Sequence, residues 1–274
     1  MQIMQKKIDL VNGPVLSSLT RLAIPIMATS LIQMAYNMTD MIWIGRIGSS
    51  AVASVGAAGM YMWLSNGLAV LAKMGGQVNV GHALGADDKE KAAEYVSNAL
   101  QLTLVLGIIY GIICILGARP LIHFFHLNQA QVIRDAVSYL KITCGLVLFS
   151  FLNQTFTGLF TAIGNSRPVF LATTTGLVVN IILDPLLIFG IGVFPALRVT
   201  GAAIATVVAQ MIVTLMFLIF AAKDTVLFRY VSYRKKPDMK SMKAIVRIGF
   251  PTSVQSMLFT GISMVIARLV AGYG

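Results

Sequence analysis

The amino-acid sequence predicts an all-α, polytopic transmembrane bundle, and three observations carry that expectation. Apolar residues fill 57% of the chain and charged residues 11%, where a soluble domain has roughly 45–50% and about 25%. Ten acids and 21 bases cannot coat a soluble chain of 274 residues. The apolar residues gather in runs at or beyond the length of about 20 residues that crosses a bilayer. Short polar or Gly/Pro breaks separate the runs without barrel-like alternation, so the backbone must satisfy its hydrogen bonds within helices.

Seven spans are expected, over 16–46, 52–80, 94–117, 132–154, 168–190, 200–222 and 243–272. The breaks include Gly45-Arg46-Ile47-Gly48, the run from Gly85 to Lys91, Leu127-Asn128-Gln129 and Gly164-Asn165-Ser166-Arg167-Pro168. A formal net charge of +11 would suggest nucleic acid in a soluble chain, but here the bases sit in alternate connections. With the N-terminus inside, the inner connections hold Lys6, Lys7, Lys89, Lys91, Arg167 and the stretch from Lys223 to Lys243. The outer ones hold only Arg46, Arg119 and Arg198. This positive-inside bias predicts a multi-pass protein of a prokaryotic plasma membrane with a cytoplasmic N-terminus and no nucleic-acid partner. Arg234-Lys235-Lys236 reads as a topology signal in a solvated linker. No cleaved signal peptide is recognised. Cys114 and Cys144 lie in apolar runs and make neither a metal spacing nor a disulfide framework.

The segment Arg21–Gly48 repeats at Arg247–Gly274 without gaps. Arg21 meets Arg247, Pro25 meets Pro251, Ser30 meets Ser256, Met38 meets Met264 and Gly48 meets Gly274. Span seven therefore reads as the start of a second copy. Six spans is an even number, so both copies enter the membrane from one side, the parallel type of repeat. The expected organisation is a six-helix N-terminal lobe over 1–222, a basic cytoplasmic linker over 223–242 and, over 243–274, the first helix of a second, pseudo-symmetric lobe. The intact protein is expected to be nearly twice as long, a monomer in which the C-terminal lobe is the partner of this one.

Of the ten acids, only Asp40 in span one and Asp184 in span five lie deep. A charge there costs roughly 2.5–3.5 kcal/mol. From Pro168 to Ile191 there is no Lys, Arg or His, and Arg46 lies beyond Asp40 toward the end of its helix. An ion or proton site explains the pair better than packing alone. Asn180 and Asp184 are four residues apart on one helix face. With Thr206 of span six they offer oxygens to Na⁺, or one carboxyl takes H⁺. Pro185 removes a backbone donor and frees the carbonyl of Ile181, so span five can bend beside its carboxylate; a kink without function is the plainer alternative. Gln33, Tyr36, Asn37 and Asp40 form a polar stripe at helical spacing, and span four adds Tyr139, Lys141, Asn153 and Gln154. His82, His123 and His126 make no convincing metal set. No phosphate-binding loop appears, so no cofactor is expected and the energy source should be an ion gradient.

Several segments together resemble the multidrug and toxic compound extrusion (MATE) family. They are Leu22-Ala23-Ile24-Pro25 with Met38-Thr39-Asp40, Gly81-His82-Ala83-Leu84-Gly85-Ala86, Leu183-Asp184-Pro185 and Gly201-Ala202-Ala203-Ile204-Ala205-Thr206. The resemblance implies twelve helices in two lobes around a central cavity, exporting amphipathic, often cationic drugs in exchange for H⁺ or Na⁺. It implies that Asp40, Asn180, Asp184 and Thr206 match the cation site of the DinF-like branch and that Tyr36, Tyr139 and Asn153 line the cavity with Gln33 and Asn37. Pro25 and Pro185 are the expected hinges. The NorM-like branch carries a Glu in its seventh helix where this chain has Phe259. A flippase for lipid-linked sugars would want clustered bases, and Lys73, Lys141 and Arg268 are scattered. An intramembrane aspartyl protease also needs two carboxylates, but its Tyr-Asp and Gly-x-Gly-Asp patterns are absent. An inert half-transporter is a third alternative.

Overall fold

The computed structural model describes residues 15–192, 194–225, 227–231 and 237–271. Lys6, Lys7, Arg234-Lys235-Lys236 and Gly274 lie outside the described residues, as does the side chain of Pro25. The elements are α1 (Val15–Ile47), α2 (Ser49–Gly85), α3 (Lys89–His123), α4 (Ala130–Thr143), α5 (Leu148–Ala162), α6 (Arg167–Phe189), α7 (Arg198–Lys223), a single 3₁₀ turn (Phe228–Tyr230) and α8 (Met239–Ala271). Five helices are long and apolar enough to cross a membrane, or six with α4 and α5 taken as one bent span. α1 is 33 residues long, about 50 Å at 1.5 Å per residue; its polar stripe is what lowers its hydropathy. The molecule is a multi-pass membrane protein.

The local signals explain most of the boundaries. Gly48 alone separates α1 from α2, with φ of 134°, a conformation open to glycine and costly for other residues. Asp88 caps α3 by accepting the Lys91 N–H at 2.9 Å. Pro168 sits in the first turn of α6, where a missing N–H costs nothing, and Gly190 closes that helix in the left-handed conformation. α6 and α8 run unbroken through Pro185 and Pro251.

One expected span is corrected. The run 132–154 is not a single helix: it breaks at residues 144–147, and α4 and α5 meet at 48°. The break presses on α3. A Cβ on Gly111 of α3 would come within 2.9 Å of the Gly145 carbonyl oxygen, and one on Gly145 within 3.0 Å of Ile115. Two glycines thus let the turn lie against a neighbouring helix. Composition does not reveal this, because the turn residues are themselves apolar.

The helices alternate in direction, so their ends gather into two layers. The upper layer, at the α1–α2, α3–α4 and α6–α7 connections, packs Ile44, Tyr61, Ile122, Phe125, Tyr139 and Val199 into one cluster. The lower layer, at the α2–α3, α5–α6 and α7–α8 connections, packs Val96, Phe156, Phe160, Phe217 and Phe228 into another. There Phe156 and Phe160 stack on Phe217 at 5.7 and 5.8 Å between ring centres. Phe228 belongs to the segment after α7, so that segment is pinned beneath the bundle, and Asp224 fixes its turn by accepting the N–H groups of Leu227 and Phe228 at 2.8 and 3.0 Å. The Asp238 carboxylate caps α8 by accepting the Ser241 N–H, and this bonding holds the carboxyl down at about 2.

α8 starts at the same end as α1 and has the same length, 33 residues. It lies along α2, touches α3 and meets no other described helix. The α2–α8 contact is backbone to backbone: a Cβ on Gly249 would collide with the Leu71 carbonyl, and one on Gly75 with the Ile245 carbonyl. Ser253 Oγ donates to the Gly67 carbonyl oxygen at 2.9 Å. Small residues that let membrane helices approach closely are a main source of their packing energy.

Gly249→Leu should therefore lower stability by about 1–3 kcal/mol, the usual cost of overpacking. Gly261→Ala, at a position on α8 with nothing within 4 Å, should not. Thermal unfolding in detergent checks this, and equal melting of both variants and wild type would contradict the packing argument.

Candidate functional site

Between the two apolar layers lies a cavity of about 920 Å³. The polar stripe of α1 forms one wall, and α2, α4, α5, α6 and α7 supply the rest. Gln33, Tyr36, Asn37, Tyr139 and Asn153, the residues expected around a substrate, all lie on the wall of this cavity. Asp40 and Thr206 are on the wall as well. Asn180 and Asp184 are not; both are fully buried, at 0% exposure, behind the wall where α6 packs on α1 and α7. The four expected ion-coupling residues are thus brought together in two layers, one facing the cavity and one sealed.

The hydrogen bonding of this cluster is incomplete. Asn180 Nδ2 donates to Asp184 Oδ1 at 3.1 Å. Asp40 Oδ1, Asn180 Oδ1, Asp184 Oδ2 and Trp43 Nε1 are buried without a partner, while the Tyr36 hydroxyl lies beside Thr206 and Gln210. Elsewhere in the bundle, threonine hydroxyls are used locally: Thr157, Thr161, Thr173 and Thr174 each donate to the carbonyl four residues back. Thr206 does not. Asp40 and Asp184 are near enough to act on one another and on Tyr36 and Tyr139 electrostatically. No base offsets them, because Arg46 lies over the Trp43 ring at 4.8 Å and the one ion pair among the described residues joins Lys91 to Glu94. Unpaired oxygens from two carboxylates and an amide, with two hydroxyls next to them, form a donor set suited to a hard monovalent cation or to a proton.

A second polar group braces the cavity wall. Asn153 Nδ2 donates to the Gln210 backbone and side-chain oxygens at 3.0 and 2.7 Å, and Thr214 Oγ1 donates to Asn153 Oδ1 at 2.8 Å. Gln154 Nε2 donates to Asn66 Oδ1 at 3.0 Å. Sequence reasoning missed Gln210 and Trp43. Both had a signal: Gln210 lies one turn after Thr206 as an amide in an apolar span, and Trp43 lies one turn after Asp40 on the same stripe. The bases Lys141 and Arg268 lie apart from the cavity, the first exposed on α4 and the second over the Phe124 ring at 4.7 Å. No group of His, Cys, Asp and Glu able to hold a metal occurs among the described residues.

The MatE family signature matches residues 25–186, which include Asp40, Asn180 and Asp184. The chain belongs to the MatE family. Among its MATE relatives, it is 29% identical over 250 residues to "Probable multidrug resistance protein NorM" of Thermotoga maritima, covering 90% of this chain and 53% of that protein. It is 27% identical over 212 residues to the "FAD transporter" of Shewanella oneidensis, covering 76% of this chain and 46% of that one. A solved outward-facing multidrug resistance MATE transporter superposes with a TM-score of 0.83 at 26% identity, over 93% of this chain and 56% of that one. The chain spans about half the length of the curated relatives it matches. MATE proteins are transporters, not enzymes, and need no cofactor.

Two isosteric substitutions separate a site hydroxyl from a structural one. Thr214→Val strands the Asn153 oxygen and should lower stability by about 1–3 kcal/mol. Thr206→Val removes a hydroxyl that meets only the Tyr36 hydroxyl, which keeps Gln210 beside it, and should cost less stability than Thr214→Val. Thermal unfolding of the two variants side by side checks this; an equal or larger loss in Thr206→Val would show that its hydroxyl is structural.

Proposed function

We propose that this chain is the N-terminal lobe of a secondary antiporter that exports amphipathic, cationic small molecules in exchange for H⁺ or Na⁺. The observation that carries the reading is the set of unpaired oxygens at Asp40, Asn180 and Asp184, with the Tyr36 and Thr206 hydroxyls next to them, beside a large cavity. A folded membrane protein keeps such atoms unpaired at a standing cost unless something transient pairs them. The multidrug names of several relatives support the drug-export part. The second lobe is supported by the repeat of Arg21–Gly48 at Arg247–Gly274, and the DinF-like assignment by Phe259 in place of an acid. The bias of bases between connections supports a cytoplasmic N-terminus in a bacterial plasma membrane. The intact transporter functions as a monomer.

The mechanism follows from charge. With the carboxylates ionised, the Asp40 wall attracts a cationic drug. An ion or proton at Asp40, Asn180, Asp184 and Thr206 cancels that attraction, so drug and ion compete. A bound species shifts a conformational equilibrium only through its different affinity for the two states, and the charge of this cluster supplies the difference. Pro25 and Pro185 let α1 and α6 bend as it changes. The protease reading fails on access, since Asp184 is sealed from the cavity, and the flippase reading finds a single base on the cavity wall.

Asp40→Asn and Asp184→Asn fix the neutral state. In liposomes holding the intact transporter under an imposed H⁺ or Na⁺ gradient, each should abolish gradient-driven drug efflux while the protein stays folded and inserted. Wild-type export rates in both variants would place ion coupling outside this lobe.

A further inference from the structure

The cavity holds a second charge that ion coupling does not use. Lys73 of α2 is the only base among the lining residues, as Asp40 is the only acid. Its ammonium makes no ion pair or hydrogen bond among the described residues. Lys73 lies 24 residues past the start of α2, and Asp40 lies seven residues before the end of α1. At about 1.5 Å per residue they stand roughly 25 Å apart along the bundle, too far to neutralise one another. A cation at membrane depth is as costly as an acid, and such residues mark substrate or ion pathways.

The lysine is seated. A Cβ on Gly158 of α5 would come within 3.0 Å of Lys73 Cγ and 2.9 Å of its carbonyl oxygen, so the aliphatic stem is clamped between α2 and α5. A lipid-facing lysine would carry its head along its stem to the headgroups; Lys73 instead lies on the cavity wall. Gln77 lies one turn along the same face of α2 and lines the cavity too. Opposite them, Thr157 and Thr161 of α5 give their hydroxyl hydrogens to their own helix. Among the lining side chains at this end, the Lys73 ammonium, the Gln77 amide and the Ser166 hydroxyl donate no hydrogen bond among the described residues.

We propose that Lys73 and Gln77 form an anion-binding subsite in the lower half of the cavity, which takes the carboxylate or phosphate group of an amphipathic substrate. This rests on the reading of the cavity as the substrate site and changes the class of molecule it favours. A purely cationic drug is drawn by Asp40 and repelled by Lys73. A zwitterion, or an organic anion with a long apolar body, satisfies the lower end.

The test uses the intact transporter in phosphatidylcholine nanodiscs and two dyes of one shape, a carboxylated zwitterionic rhodamine and its cationic methyl ester. Fluorescence anisotropy gives the ratio of their affinities. A charge-assisted bond is expected to favour the carboxylated dye by roughly tenfold or more. Lys73→Met should bring the ratio to about one, and Lys73→Arg should keep it. Gln77→Leu, which leaves the charge in place, should lower it part-way, and it decides the matter should Lys73→Met not fold. A ratio near one in wild type, or a ratio unchanged in Lys73→Met or Gln77→Leu, overturns the subsite. Failure of the cavity reading looks different: neither dye binds, or Tyr139→Ala and Asn153→Ala leave both affinities untouched. Nanodiscs with added phosphatidylglycerol should give the same ratio; loss of the preference only there assigns the subsite to a lipid phosphate and overturns the substrate assignment.

Discussion

Inside a bilayer, an unpaired carboxylate or hydroxyl has no water to turn to, and each buried unsatisfied group costs about 1–3 kcal/mol, more when charged. Most polar side chains of this chain meet that constraint within a turn of their own helix, as the threonines of α5 and α6 do. Others meet it across helices, as Asn153 does with Gln210 and Thr214. The unpaired oxygens of Asp40, Asn180 and Asp184 gather in one place, where α1 and α7 enclose the sealed Asn180–Asp184 pair of α6. A cost that most of the bundle avoids is concentrated at one cluster, and the ion proposed to bind there would relieve it.

The surrounding architecture keeps that cluster dry and the cavity open. Apolar layers close the bundle above and below, and glycines bring helices into direct contact where rigidity is needed: Gly75 and Gly249 between α2 and α8, Gly111 and Gly145 between α3 and the break of span four. Between the layers the walls are built of long polar side chains and methionines, which leave room. α8 repeats the length and direction of α1 yet meets only α2 and α3, so it is joined to the lobe along one flank.

Much of this was legible in the sequence, for a physical reason. Acids at membrane depth are rare and expensive, so Asp40 and Asp184 stood out at once; a spacing of four then drew in Asn180, and the polar stripe of span one drew in Tyr36. Gln210 and Trp43 carried a positional signal, one turn after Thr206 and Asp40, but what Gln210 does, meeting Asn153 across two helices, is set by the fold, and the apolar ring of Trp43 masks an indole N–H that is left unpaired. The break in span four was hidden because its turn residues are apolar and its close packing on Gly111 is a contact with another helix. Lys73 was read as one of three scattered bases; only the placement of α2 separates it from Lys141 and Arg268 as a cavity residue.

The central claim is that drug and coupling ion compete for the charge of one carboxylate cluster. It is tested most directly by ion release at equilibrium: a cationic drug is added to the intact, detergent-solubilised transporter in weakly buffered medium, and freed H⁺ or Na⁺ is measured. The account predicts release in step with drug binding, and its disappearance when Asp40 and Asp184 are both changed to Asn. Drug binding without release in the wild type, or the same release from the doubly substituted protein, would contradict it.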